Sequence, residues 1–581
     1  MKRLMFAAII GLFTLGLGSS LFAQKKVEYL QFKPMHERSA VKAQPVRVKP
    51  SDKIGKPTIT WGGDVEDVYA RDYEIFAKHG LNIELNCENR FLTQVEAVIR
   101  GETPYLRGTH GMINGAGELL KRNGIGMILI HKKTYSTGGD VLVVRPGKTL
   151  RNIRKVALQL DGPHMDYASR LFKDAGRNLK DIQFMYLEHL SDDYQDAGTV
   201  ARDPKSAFLA DPTLDACFVI VPDALTLTSG GEVGKGGSDS VEGATMLVST
   251  KTARTVISDG DYVRKDWFDA SPENRNHAFQ LAHALLQAEE DLRDLLKNKE
   301  QEQAKYRQLM SSSAALLWGS AAAGAEIEAM LGDCTFDGYN GNVTFFTGKG
   351  TTRNFETLTQ EIQASFIEMG VLPGRVEMHK ADFDLAKLAE GLRYATDVVT
   401  TAPRLDPKKV AAAVAERVEA EASEWGSDAL FEIEINFAPN QTEFPESKYA
   451  GPFNEAMKMA QTYSGALITV DGHSNKYGKN SIQSDIDEGK PQPLISQRIQ
   501  VAKNLSMERA NKVREDFIAY CKNHGFVIDE SRFYAVGLGI SQQKFDPPVS
   551  QEQWKANFRA VFRIMPVEAE SSEWEAPVAA R

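Results

Sequence analysis

Between residues 57 and about 225 the chain alternates two hydrophobic patterns. Short β-branched or apolar runs, "TITW", "LNIELNC", "GMILIH", "DVLVV", "KVALQL", "IQFMYL" and "ACFVIV", predict strands. Stretches at 66–78, 92–100, 115–123 and 164–175 carry apolar residues at helical spacing. Repeated strand–helix alternation predicts an α/β fold with a mainly parallel sheet covered by helices. Ligands on such sheets sit at the carboxyl ends of the strands.

From Ser271 the period becomes helical. "SPEN" supplies a cap, a proline at the first helical position and an acid in the first turn. Phe279, Ala282, Leu285, Leu286, Leu292, Leu295 and Leu296 follow at helical spacing, and a second α/β stretch follows at 342–372. The Ala/Glu-rich run 396–428 reads as a linker. Past it the period drops to two. "LFEIEINFA" places Phe431, Ile433, Ile435 and Phe437 on one side of a half-buried strand. Helical and strand patterns then predict a separate α+β domain over 429–566, with a short polar, disordered tail at 567–581.

Charge and composition narrow the function. The net charge is -9 and the pI about 5.8, which points away from nucleic acid as a partner. Lys2 and Arg3 precede an uncharged apolar run to Ala23, the form of a secretory signal. The run is also close to the length that spans a bilayer, so residues 1–23 are a signal peptide or an inner-membrane anchor. Residues 24–56 are basic and Pro-rich and read as an extended spacer. Cys87, Cys217, Cys334 and Cys521 form no CxxC pair, which leaves zinc and thioredoxin-type chemistry without support.

Enzyme signatures fail on spacing. "GGEVGKGG" is one residue short of a phosphate-binding loop, and "DCTFDGYNGN" has threonines at two calcium-ligand positions. Neither Gly-x-Ser-x-Gly nor His-Glu-x-x-His occurs, so no enzyme activity and no cofactor are expected. Binding is the better-supported chemistry. "GTHGMING" and "DGPHMD" lie where loops enter helices, whose free N–H groups suit an anionic or polar ligand. Asp64, Asn114, Asp161, His164 and Asp223 are the candidates to face a cleft. The plainer roles are helix or turn capping for Asp161 and Asp223, and a partner-satisfied imidazole for His164.

Two resemblances add to this. The pieces "INFAPNQTEF", "ITVDGHSNKYG", "NLSMERANKVREDFIAYCKNHG", "YAVGLG" and "NFRAVFRI" make the C-terminal domain similar to the OmpA-like peptidoglycan-associating domain. The resemblance implies that the residue at 475 holds the ammonium of diaminopimelate and that Arg509 holds its carboxylate. Asn504 and Arg559 match two further positions of the motif. Two departures stand out: Asn475 replaces the family's aspartate, and the segment between Gly478 and Asn504 is lengthened. Its Asp485 and Asp487 offer a replacement carboxylate. Residues 57–395 resemble periplasmic substrate-binding proteins of the nitrate/taurine/thiamine-pyrimidine type. The resemblance lies in "ITWGG", "FAKHGLNIEL", "QVEAVIRGE", "DGPHMDYASRLFKDAG" and "LDACFVIVPDAL". It implies two α/β lobes joined by crossover strands, with a small polar solute held between them. The expectation is an exported protein of the periplasm or cell envelope that binds solute and peptidoglycan. The alternative is an envelope scaffold or stator-like protein in which both folds contact membrane or envelope protein partners.

Overall fold

A computed structural model describes residues 26–191, 200–396, 405–421, 425–426, 429–438, 441, 443–478 and 481–565. The signal or anchor segment and the C-terminal tail lie outside the described residues. No described helix is long and apolar enough to cross a membrane.

The body has two lobes, each built on its own sheet. In the first lobe the strands run in the order Cys334–Phe336, Met127–Ser136, Ser258–Arg264, Tyr105–Thr109, each antiparallel to its neighbour. A parallel pair, Ile54–Thr58 with Ile83–Cys87, accompanies that sheet. In the second lobe the order is Thr245–Ser249, Asp140–Val144, Ala216–Ile220, Lys155–Gln159, Gln183–Leu187. Its first two pairings are antiparallel and its last two parallel.

The expectation of a mainly parallel sheet is corrected, and the chain path supplies the reason. The chain leaves the first lobe at Ser136 and returns at Ser258 beside the strand by which it left, running the opposite way. Asp140–Val144 enters the second lobe and Thr245–Ser249 leaves it, again as antiparallel neighbours. Both faces of "DVLVV" are covered, which explains the unbroken apolar run. Val141 and Val143 pack with Phe208 and Leu227, and Leu142 and Val144 with Phe172 and Phe218.

The described part of 24–56 is a strap laid across both lobes, not an extended spacer. Lys26–Val27 pairs with Val200–Ala201, and Leu30 N donates to Tyr186 O at 2.8 Å, both in the second lobe. Beyond Met35, which is buried, Ser39 Oγ meets Glu96 Oε1 at 2.6 Å on the first lobe. Further on, Arg264 Nη1 and Trp267 Nε1 donate to the carbonyls of Gln44 and Val48, each at 2.9 Å. The strap has no hydrophobic period because its backbone is satisfied by strand edges and side chains of the lobes, one group at a time.

The C-terminal sheet runs Phe431–Asn436, Arg559–Met565, Leu467–His473, Phe533–Gly539, with only the last pairing parallel. One face carries Ile468, Val470, Phe562 and Ile564 against Phe453 and Phe517 of the helices Glu446–Thr462 and Gln492–Asn523. Gly472 and Gly537 let the second helix approach. A Cβ on Gly472 would lie 2.0 Å from Ser506 O, and one on Gly537 2.8 Å from Lys503 O. The other face corrects the reading of 396–428 as a linker. Pro407–Glu421 is a helix whose Val410, Val414 and Val418, with Leu405 and Trp425, cover Leu467, Val536, Leu538 and Met565. An alanine-rich composition concealed a valine stripe at spacing four.

Candidate functional site

The interlobe seam is where the binding-protein reading places a ligand, and there the predicted residues already have partners. Asp161 sits at the entry to helix His164–Asp174 with φ of 60°. Its carboxylate takes Arg38 Nη2 of the strap at 2.5 Å. Burial raises the Asp161 pKa, and Arg38 opposes the rise. His164 is fully buried, with Nε2 2.7 Å from Asp140 Oδ1 at the first crossing between lobes. Asn114 lies inside helix His110–Arg122, its Nδ2 donating to His110 O and its Oδ1 accepting from Gln363 Nε2 at 2.9 Å. These three lie around the seam, each held by the protein.

The other two candidates lie elsewhere. Asp223 is buried in the second lobe, 2.9 Å from Lys205 Nζ. Asp64 is inside the first lobe. Arg107 binds it at 2.6 Å and also reaches Asp259 at 2.8 Å. Beside it lies a buried ionic cluster. Lys56 Nζ is 2.7 Å from both Asp67 and Asp261, and Lys133 Nζ bonds Glu66 and Asp67. Burial pushes Asp64 up to about 6 and Glu66 up to about 7. Glu66, His131 and Asp261 bring possible metal ligand atoms within 4.8 Å of one another. Each of the two ammonium groups is shared between two of the acids, so the cluster is held as a salt-bridged core.

What closes the seam is a helix that sequence reading placed but gave no role. Asn354 caps Phe355–Glu368, which bridges the lobes. Toward the first lobe, Thr359 Oγ1 meets His110 Nε2 at 2.7 Å. Toward the second, Glu361 takes Arg170 Nη1 at 2.8 Å and Glu368 takes Leu179 N at 2.7 Å. Burial, then the charges of Arg353 and Lys132, push His110 down to about 3, so its imidazole is neutral at physiological pH. Arg353, just ahead of the helix, is buried; its Nη1 meets Glu361 at 3.1 Å and its Nε donates to Thr255 O at 3.1 Å on the second crossing.

The C-terminal domain closes on the same place. Gln461 Oε1 accepts Thr352 N at 2.8 Å, Thr255 Oγ1 donates to Gln461 O at 3.0 Å, and Gly465 N donates to Thr252 O at 3.1 Å. Tyr463 OH donates to Asp174 Oδ2 at 2.6 Å, and Asp174 also holds Arg170. The second crossing between lobes is thus gripped by the domain that follows the body.

Within that domain the four motif residues divide. Asn475 is a latch between two loops: Nδ2 donates to Trp554 O at 2.8 Å, and Oδ1 accepts from Tyr477 N at 2.9 Å and from Asn557 Nδ2 at 3.3 Å. Asn504 is exposed and takes Gln500 Nε2 at 2.8 Å. Arg559 is buried and donates to Gln542 O at 3.2 Å. Arg509 is 2% exposed, its guanidinium 5.4 Å from the centre of the Phe437 ring, and its Nε and Nη1 have no hydrogen-bond partner among the described residues. Asp485 of the insert is committed to Lys490 at 2.5 Å and to Arg498, and Asp487 to Gln483 at 2.8 Å. Neither is a free replacement for the missing aspartate.

All four cysteines are free thiols. No protein-family model matches the chain, and neither does any curated protein. Solved structures are similar to it. The periplasmic aliphatic sulphonate binding protein SsuA from Escherichia coli is 17% identical, covering 57% of this chain and 90% of that one, with a TM-score of 0.37. The nitrate-binding protein NrtA from Synechocystis PCC 6803 is 12% identical over 60% of this chain and 91% of its own, at 0.38. A putative sulfonate-binding SsuA from Methylobacillus flagellatus KT is 13% identical over 60% and 97%, at 0.39.

Proposed function

We propose that the chain is an exported cell-envelope protein that holds peptidoglycan through its C-terminal domain and presents a two-lobed body for a small polar solute. The observation that carries the wall-binding reading is Arg509. A buried guanidinium with two unpartnered nitrogens is costly to leave unanswered, and a planar carboxylate is the group that answers it. The stem peptide of the wall supplies such a carboxylate. Asn475 contributes by shaping the neighbouring turn and gives no charge to a ligand ammonium. Binding therefore rests on one charge-assisted contact worth about 1.5–3 kcal/mol, and wall association is weak.

A pull-down of the full chain on purified sacculi tests this. Wild type is expected to sediment, free diaminopimelate to compete, and Arg509→Gln to stay in solution with its melting temperature unchanged or raised. Sedimentation by Arg509→Gln equal to wild type refutes the assignment.

A second reading, an envelope scaffold, has its own support. The strap and the bridging helix each span the two lobes and the C-terminal domain grips the second crossing, and so they oppose the hinge motion by which two-lobed receptors close.

A further inference from the structure

The seam is filled, but the first lobe holds a cavity of about 390 Å³ beside the bridging helix, bounded by the end of strand Met127–Ser136 and the helices Pro272–Lys297 and Gly338–Thr347. Among its walls are Tyr135, Arg293, Asp337, Phe345, Arg353 and Tyr394. We propose that this cavity is the solute site and that it takes a small organic anion of sugar size, with its carboxylate or phosphate between Arg353 and Arg293. The proposal rests on the solute-receptor part of the function proposed above and assigns that part a location and a chemistry.

The argument is a balance of donors and acceptors. The acids around the cavity are engaged. Asp337 pairs with Lys132 at 3.0 Å, and Glu290 accepts Arg393 N at 2.7 Å and Tyr394 N at 2.8 Å. Glu289, just behind, accepts Gly338 N at 2.9 Å and Arg293 Nη2 at 3.2 Å. The donors are not all used. Arg353 spends Nε and Nη1 on the protein and Arg293 spends Nη2, which leaves Arg353 Nη2 and Arg293 Nε and Nη1 without a hydrogen-bond acceptor among the described residues. The Tyr135 hydroxyl likewise has no hydrogen-bond partner among the described residues, while Lys132 Nζ lies over its ring at 3.0 Å. A cavity with spare donors, committed acids and the rings of Phe345 and Tyr394 on its walls is complementary to an oxyanion on a compact body. Each carboxylate on the cavity wall already carries at least one donor from the protein.

Position supports the same use. Arg353 follows Thr352, which bonds Gln461 of the C-terminal domain, and its Glu361 partner is shared with Arg170 of the second lobe. An anion drawing on Arg353 therefore touches the group that joins both lobes and the C-terminal domain.

The test is calorimetric titration of the full chain with D-glucuronate, glucose 6-phosphate and neutral glucose. Binding of at least one anion and not of glucose is expected, and which anion binds separates carboxylate from phosphate chemistry. Tyr135→Phe and Arg293→Gln leave Arg353 and its lobe contacts in place, and each is expected to weaken the anion about tenfold. Anion binding that survives both variants but is lost in Asp161→Ala/His164→Ala overturns this site and keeps the receptor reading. Equal binding of glucose overturns the anion assignment. No heat with any probe, and none across a wider panel of organic anions, overturns both.

Discussion

Replacing Asn475 by aspartate restores the residue that the wall-binding motif carries, and motif reasoning alone expects tighter binding. The latch geometry leads to the opposite expectation. The substitution removes the donor 2.8 Å from Trp554 O and sets a carboxylate oxygen against that carbonyl. Leaving a part-buried carbonyl unsatisfied costs about 1–3 kcal/mol. The bonds from Tyr477 N at 2.9 Å and Asn557 Nδ2 at 3.3 Å now go to a charged acceptor, which returns about 0.5–1 kcal/mol. The net expectation is a loss of about 1–2 kcal/mol, read as a lower melting temperature at pH 7 with no gain on sacculi. The sign with pH follows. The new carboxyl, facing a carbonyl, has a folded-state pKa above its unfolded value of about 3.9. Its penalty is present above the folded pKa and fades as pH falls through it, when the protonated carboxyl can donate to Trp554 O. Asn475→Ala, which loses all three bonds, has no such recovery. If Asn475→Asp proves as stable as wild type at pH 7 and binds sacculi more tightly, residue 475 faces the ligand and the latch argument is wrong.

Three more outcomes are expected. Arg38→Ala leaves Asp161 buried beside no cation at a left-handed φ of 60°, so adding Asp161→Gly should recover stability lost in the single variant, as a thermal double-mutant cycle would show; strict additivity would mean that the two do not meet. A fragment of residues 405–565 should melt cooperatively, whereas one starting at 427 exposes Leu467, Val536, Leu538 and Met565 and should bind a hydrophobic dye, and a well-folded shorter fragment would show the helix to be dispensable. Burial pushes Asp166 up to about 7, so between about 4 and 7 the folded state holds a proton that the unfolded chain has released. Its contribution to stability falls as pH rises through that window, and Asp166→Asn should flatten the decline seen in melts across it; an unchanged slope would remove Asp166 from the account.

Every apolar run quoted at 81–221 contains a strand, and those such as "DVLVV" are unbroken because the strand is buried on both faces. Two of the strands that the pattern does not predict bury charge. Ser258–Arg264 carries Asp259 and Asp261, and Ile54–Thr58 carries Lys56 and Pro57, so "TITW" places the first body strand too late. Their charges are satisfied by Arg107, Lys133 and Asp67, and no local window contains both halves of those pairs. The site was less legible for the same reason. Turn chemistry points to the helix-entry loop at Asp161-His164, but its partners are not local: Asp140 lies 24 residues from His164 and Arg38 lies 123 from Asp161. Arg353 had no local signal, since a single arginine before a helix is ordinary until Glu361 and Thr255 converge on it.

The strap has a mechanical meaning. Tension applied to the chain ahead of Lys26 enters the second lobe through one short parallel pairing, then passes Arg38 to the seam and Gln44 and Val48 to the first lobe. Those attachments lie in series along the pull, so they must yield one after another rather than together. The pairing at Lys26–Val27 takes the load first, and each later release would lengthen the chain by only the few residues between neighbouring attachments. Gln461 and Tyr463 grip the body near the seam where Arg38 arrives, so a C-terminal domain held on a rigid wall would put that seam in the path of any stretch between the two ends. The two-lobed body would then act as the spring of the assembly, and its stiffness would be set by Arg38, Asp161 and the helix that bridges the lobes.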